Sequence, residues 1–326
     1  MFDQAQGLRA LAHQTRSDQA GVGEALKDAA ACNASEDAIQ AVVGQPPVGM
    51  ARVIAVTSGK GGVGKTNFSS NMALALAESG KRVIAVDADL GLANLHVILG
   101  INPQYSLEHV MRGERTLQEA LTIAAPGLYV IGGASGMAEL ADLDSIRREN
   151  FIKSLHTLDN LADTVLIDTG AGLSRNVLSF LCAVEEVIIV TTPEPTALTD
   201  AYATIKVVSR ENRNATLMLV VNMANTPEEA RAVSERLSAI TKRFLGIELI
   251  PIGSIPQDPA VSRSVRAGRP FLQYQPASPA SQSIRKIAGT LYRTPHQSSG
   301  SESGGMGGLL QRMQRLLSFR AQAGTR

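Results

Sequence analysis

The residues Gly59-Lys60-Gly61-Gly62-Val63-Gly64-Lys65-Thr66 fit the pattern G-x-x-x-x-G-K-[ST] without a mismatch, a spacing suited to holding phosphate. Glycine has no Cβ, so successive backbone N–H groups can turn inward and present a nest of partial positive charge to an anion. Lys65 would lie against the β and γ phosphates of a nucleotide, and Thr66 would offer its hydroxyl to Mg²⁺. Asn67 follows directly and belongs to the same binding set. Two carboxylate-bearing segments could complete the chemistry: Val86-Asp87-Ala88-Asp89 and Ile167-Asp168-Thr169-Gly170-Ala171-Gly172. Each ends an apolar run, and the carboxyl ends of parallel strands are where ligands bind in an open α/β sheet. A carboxylate at Asp168 can hold Mg²⁺ through its water shell, and the glycines after it let the loop move when a γ-phosphate arrives. Helix capping by Asp89 and a plain turn role for Asp168 are the alternatives.

These groups need elements to position them. Val53 to Thr57, Val83 to Val86, Leu128 to Ile131, Thr164 to Ile167, Glu186 to Thr191, Thr216 to Val221 and Glu248 to Pro251 read as strands. Asn67 to Glu78 reads as a helix. Short Val/Ile/Leu runs separated by helical spacers predict a doubly wound, mostly parallel α/β sheet with helices on both faces, over residues 50–293. Residues 1–49 are rich in alanine, glutamine and small polar residues and end in Gln45-Pro46-Pro47-Val48-Gly49, which predicts a tethered arm. A Ser/Gly-rich linker is predicted over 294–305. Beyond it, 306–326 carries an amphipathic helix whose apolar face gathers Met306, Leu309, Leu310, Met313, Leu316 and Leu317, with Arg312 and Arg315 off that face. Such a helix can lie in the headgroup region of an anionic membrane, or dock on its own core.

Composition narrows the classes. The chain has 326 residues, 44% of them hydrophobic, enough for one large or two ordinary domains. A formal net charge of +1 argues against a strongly basic nucleic-acid binder. Cys32 and Cys182 are far apart and in no metal-ligand spacing, so a reduced, cytosolic protein is expected. No apolar stretch approaches the ~20 residues needed to span a bilayer.

Lys60 makes the phosphate motif more specific. A second lysine in Lys60-Gly-Gly-Val-Gly-Lys-Thr66 resembles the deviant Walker A box of the ParA/MinD superfamily, whose members dimerise around two ATP molecules. The resemblance implies that Lys60 reaches the partner subunit's nucleotide, making ATP binding and dimerisation one event. It also implies that Asp89, in switch I, positions the attacking water, that Asp87 supports Mg²⁺ through water, and that Asp168 is the Walker B carboxylate. Asn222 would hydrogen-bond adenine, and Ile255-Pro256-Gln257-Asp258 would pack around the ring. Met223 stands where relatives often carry a basic residue, and both base-site segments could instead be ordinary strand-to-loop turns.

Within that superfamily, Asp3-Gln4-Ala5-x-x-Leu8-Arg9 resembles the DQAxxLR motif that opens the FlhG family (also called FleN or YlxH), MinD-like ATPases controlling flagellar number and placement. Asp87-Ala-Asp-Leu-Gly-Leu-Ala-Asn94 and Glu194-Pro-Thr-Ala-Leu-Thr-Asp-Ala-Tyr202 are similar to that family as well, although His96 stands where relatives often have Asp. The resemblance implies slow, Mg²⁺-dependent ATP hydrolysis and an ATP-bound homodimer peripheral at the cytoplasmic membrane through residues 306–320. It further implies that Asp3, Gln4, Leu8 and Arg9 dock on FlhF, a signal-recognition-particle-type GTPase. Flagellar C-ring proteins and a flagellar transcription activator are further partners it implies. A septum-placing MinD, a ParA-type DNA segregation ATPase and a pure adaptor are the alternatives.

Overall fold

The computed structural model describes residues 50–89, 94–133, 151, 153–155 and 157–294 (at 175, 176 and 179 the backbone alone), together with 305, 306, 308, 309 and 312. The arm predicted over 1–49 and nearly all of the linker lie outside the described residues. All described residues belong to the unit Gln45–Arg326.

Eight strands form one sheet: β1 (Arg52–Ser58), β2 (Val83–Ala88), β3 (Thr122–Ala125), β4 (Leu128–Ile131), β5 (Thr164–Ala171), β6 (Glu186–Thr191), β7 (Thr216–Ala224) and β8 (Leu249–Pro256). Their order is β3-β4-β2-β5-β1-β6-β7-β8. Every pairing is parallel except β3 with β4. The central strands are apolar at both odd and even positions, because each face is covered. Val53, Ala55, Val165, Ile167, Val187 and Ile189 belong to one apolar cluster. Ile54, Val56, Leu166, Ile188 and Val190 belong to the other. This is the pattern of a sheet buried on two sides.

The helices that matter below are α1 (Lys65–Glu78), α2 (Leu95–Leu99), α3 (Arg175–Ala183), α4 (Pro195–Glu211), α5 (Pro227–Leu245), α6 (Pro259–Arg266) and α7 (Pro279–Arg293). Proline opens four of them, where its missing N–H costs no intrahelical bond and its fixed φ suits the first turn. Thr226, Asp258 and Ser278 cap three of these by accepting from the N–H groups of Glu229, Ala260 and Ser281.

The predicted doubly wound sheet is observed, with two differences. β3 was not expected: its residues Thr122-Ile-Ala-Ala125 are only half-buried and form the antiparallel edge. Such a strand carries no long apolar run, and only the turn at Pro126-Gly127 marks it. The predicted strands also run further at their carboxyl ends. β5 includes Asp168 to Ala171, β7 includes Asn222 to Ala224, and β8 extends to Pro256. Sheet hydrogen bonding therefore reaches into the candidate site rather than stopping before it.

The amino ends of the strands are tied by charge. Arg52 donates from Nε and Nη2 to the two carboxylate oxygens of Glu186 at 2.6 and 2.7 Å, and from Nη1 to the Leu291 carbonyl at 2.8 Å. Both partners are buried, with side-chain exposures of 8% and 2%. Arg82 pairs with Asp163 at 2.9 Å, and Thr164 shares a hydrogen bond with the Tyr292 hydroxyl at 2.6 Å. The carboxyl-terminal segment docks on this end too. Met306 and Leu309 are 1% and 0% exposed within the apolar cluster that contains Leu158 and Leu181. The Met306 N–H donates to Asp159 at 2.8 Å, and Arg312 donates to the Ala183 carbonyl at 2.6 Å and to Glu185 at 3.1 Å. Of the two destinations open to the apolar stripe, these residues occupy the protein core. Leu310, Met313, Leu316 and Leu317 lie outside the described residues.

Candidate nucleotide site

The phosphate motif joins β1 to α1, as its spacing requires. Gly64 has φ of 84°, a left-handed backbone that costs glycine nothing, and a Cβ there would stand 2.4 Å from Asn222 Nδ2. A Cβ on Gly59 would meet the Asp200 backbone of α4 at 2.2 Å. By contrast, Cβ atoms built on Gly61 and Gly62 meet nothing within 4 Å, so the loop opens outward there. Lys60, Gly61, Gly62 and Val63 complete the turn, Thr66 is the second residue of α1, and Gly64 also serves as the amino cap of α1 with no side-chain cap. An uncapped helix start leaves N–H donors directed at the loop's concavity, which is an anion site by construction.

Lys65 is buried and donates to Asp168 Oδ1 at 2.9 Å. Ser69, one turn along α1, donates to the same oxygen at 2.6 Å. The other oxygen, Oδ2, is buried without a hydrogen-bond partner among the described residues. An ionised carboxylate oxygen left dry is costly. A cation or its bound water at Oδ2 would remove that cost, so the orphaned oxygen of Asp168 fits a metal held there.

Asp87 is used differently. Its Oδ1 accepts from the Asp89 N–H at 3.2 Å and its Oδ2 from the Leu95 N–H at 3.0 Å. Each oxygen therefore already holds backbone on one side or the other of residues 90–93. Burial pushes the Asp87 carboxyl above the usual aspartate range, and the neighbouring Asp168 charge adds to this, against the lowering effect of the two N–H donors. The Asp89 carboxylate lies against Gly170 of β5, with Oδ1 3.5 Å from the position of a Cβ on that glycine. The structure thus gathers Lys65, Thr66, Asp87, Asp89 and Asp168 at the carboxyl ends of β1, β2 and β5.

Lys60 points away from this group. Its Nζ donates to Glu194 at 3.0 Å and to the Thr196 hydroxyl at 3.1 Å. The side chains of Lys60 and Glu194 are 42% and 64% exposed, and such a pair contributes about 0–1 kcal/mol. It can be given up readily.

Beside the loop lies a cavity of about 530 Å³ lined by Asn67, Asn222, Met223, Pro256, Gln257 and Asp258, among others. Asn222 donates from Nδ2 to the Val63 carbonyl at 2.8 Å, leaving its amide oxygen to accept, and the buried Oδ1 of Asn67 has no partner among the described residues. Two amide acceptors suit an exocyclic amine. Asp258 lines the cavity but has both oxygens committed, to the N–H groups of Ala260 at 2.8 Å and Ala280 at 3.1 Å. Burial alone would raise its carboxyl, yet these bonds outweigh burial and hold it below the usual range. It is a double helix cap as well as a wall residue. Sequence reading did not assign Ser69, Thr196, Phe68 or Phe271, which the structure brings to the site or its cavity. Ser69 had a legible signal, lying one turn after Lys65 on the same helix face. Phe271 had none, since the Asn71 side chain places its short helix by accepting the Leu272 N–H at 2.9 Å across 201 residues.

A parallel sheet entered by a deviant phosphate loop, with carboxylates at the ends of two strands beside it, defines the class. A ParA family model, described as NUBPL iron-transfer P-loop NTPase, matches residues 49–292. The chain belongs to the ParA/MinD family of P-loop ATPases. It is 40% identical over 237 residues to the antiactivator FleN of Pseudomonas aeruginosa, covering 73% of this chain and 85% of that one. With the flagellum site-determining protein YlxH of Helicobacter pylori it shares 41% over 245 residues, 74% and 82% of the two chains. The septum site-determining protein MinD of Pyrococcus horikoshii, solved with Mg-ADP, superposes with a TM-score of 0.60 at 28% identity, covering 77% of this chain and 98% of that one.

Proposed function

We propose that this MinD-like ATPase is a nucleotide-operated switch that regulates flagellar number and placement. The observation that carries the reading is Lys60, a cation on the phosphate loop parked in an exposed, low-energy contact with Glu194 instead of facing its own loop's concavity. In a closed pair of subunits it would reach the other copy's phosphates, where a desolvated cation without an anion would be strongly disfavoured. Dimerisation would then require nucleotide. The name of the relative YlxH, a flagellum site-determining protein, supports the flagellar assignment.

Within each subunit Lys65 would bind the β and γ phosphates of ATP, displaced from Asp168 as the anion arrives. Mg²⁺, when bound, supplies charge neutralisation at the phosphate oxygens. Thr66 would hold it by its hydroxyl and Asp168 through water. Asp89 would orient a water for in-line attack on the γ-phosphorus, breaking the bond to the β-phosphate bridging oxygen and releasing ADP and phosphate. Asp87 would hold the two ends of the switch segment. Asn222 and Asn67 would accept hydrogen bonds from the base and ribose side of the nucleotide.

Membrane attachment would use the terminal helix. Burying Met306 and Leu309 in the core is worth about 1.5–3 kcal/mol each, so membrane binding has to compete with that docking. Two helices on one dimer supply avidity that one lacks. Sedimentation with anionic liposomes should therefore require ATP and disappear when 306–326 are removed; ATP-independent sedimentation, or its survival in the truncation, would refute this step. No helix among the described residues is long and apolar enough to cross a membrane. The amino-terminal Asp3, Gln4, Leu8 and Arg9 lie outside the described residues. Their docking on an FlhF-type GTPase, with the Gln4 carboxamide orienting water in the partner's site, predicts that residues 1–20 accelerate GTP hydrolysis and that Gln4→Ala abolishes the effect. Equal acceleration by the variant would remove Gln4 from that role.

A further inference from the structure

Met223 is the non-glycine residue with positive φ among the described residues, at 56°. A side chain in this left-handed region is crowded against its own carbonyl, and glycine or asparagine normally takes such positions. The neighbouring sheet register explains how the backbone comes to be there. Val221 pairs with Ser254 and Ala224 with Pro256, so Asn222 and Met223 together oppose Ile255 alone. This is a β-bulge, a device that re-aims a side chain beside a site. Where glycine would fit without strain, the chain carries a long thioether, and the bulge turns it into the cavity beside the phosphate loop. Its Cε comes within 3.3 Å of the position of a Cβ on Gly64, and the residue remains 36% exposed. Immediately before it, Asn222 is pinned to the Val63 carbonyl, so the strained residue is fixed to the loop that takes the phosphates.

We propose that Met223 is the base-clamping residue of this site: the bulge holds its thioether over the face of the nucleotide's heteroaromatic ring, at the cost of backbone strain in the ligand-free chain. The inference rests on the nucleotide-binding reading and deepens it. Sulfur against an aromatic ring is a favourable contact, and methionine adapts to ring faces that rigid side chains do not match. Strain retained at a ligand site by surrounding structure is the expected signature of such a role. The apolar clamp complements the amide acceptors of Asn67 and Asn222: they read the ring's edge, and Met223 covers its face.

The full-length protein is titrated calorimetrically with MgADP and with magnesium pyrophosphate, a probe that has the phosphates and lacks the base. Met223→Gly relieves the strain and removes the thioether, so the ligand-free variant should melt higher than wild type while binding MgADP about tenfold more weakly. Pyrophosphate affinity should not change. Met223→Leu keeps the apolar reach and should stay within about threefold of wild type for MgADP. The clamp is overturned if Met223→Gly binds MgADP as tightly as wild type, or if it loses pyrophosphate and MgADP in equal proportion. A loss confined to self-association, with MgADP affinity intact, overturns it as well and makes Met223 a contact between copies. Failure of wild type to bind MgADP at all would instead take down the nucleotide-binding reading beneath it.

Discussion

Along the amino ends of the strands, charged and polar groups are satisfied: Arg52 uses three donors on Glu186 and the Leu291 carbonyl, Arg82 holds Asp163, and Tyr292 meets Thr164. At the carboxyl ends the accounts stay open. Of the five buried side-chain atoms without a partner among the described residues, four, on Thr57, Asn67, Asp168 and Thr192, lie there, and only Ser238 lies elsewhere. The same end carries the raised Asp87 carboxyl and the left-handed Met223. One sheet thus separates two tasks by direction. Its amino end secures the fold and docks the terminal segment, and its carboxyl end keeps unsatisfied groups for a ligand to complete.

The largest effect that could break this contrast comes from Glu186→Ala. It would leave the Arg52 guanidinium buried without its carboxylate, and losing one partner of a buried pair costs about 3–5 kcal/mol. Urea unfolding should register that loss while nucleotide affinity of the folded protein stays near wild type. A loss below about 1 kcal/mol, or a parallel collapse of nucleotide binding, would show that the two ends are not independent.

A smaller effect sharpens the contrast through pH. For Asp163, burial raises the carboxyl, but the Arg82 hydrogen bonds and the Arg82 and Lys81 charges outweigh it, and the folded value falls below 3.8. Its stabilisation is present above 3.8 and is lost as pH falls towards the lowered folded value. Asp87 is the reverse, raised above 3.8 chiefly by burial, so its contribution is full below 3.8 and is lost as pH rises through the folded value. Stability of wild type minus Asp163→Asn should therefore shrink on acidification below 3.8, whereas wild type minus Asp87→Asn should grow on acidification from neutral pH. Slopes of the same sign in the two comparisons would contradict the proposed division.

Much of the carboxyl end was legible because its chemistry is local. Gly59 to Thr66 are consecutive, and Asp87, Asp89 and Asp168 each follow an apolar run that predicts a strand end. The amino end was not, because Arg52 and Glu186 are 134 residues apart and a charge at a strand's first residue looks like any solvated strand start. Met223 was legible as an identity and not as a conformation, since left-handed backbone is signalled by glycine and the bulge that imposes it depends on pairing with β8. The destination of Met306 and Leu309 was open for another reason: an apolar stripe records that a face must be buried, not whether lipid or protein buries it. The half-buried edge strand β3 has too few apolar residues for periodicity to detect.

The central claim, that intact triphosphate couples this ATPase to a second copy of itself, is tested most directly by light-scattering mass measurement of wild type and Asp89→Ala with Mg-ATP and with Mg-ADP. The account predicts monomers of both proteins with ADP, and with ATP a persistent dimer of Asp89→Ala beside a transient one of wild type. A monomer of Asp89→Ala under saturating ATP, or the same mass with either nucleotide, would contradict it.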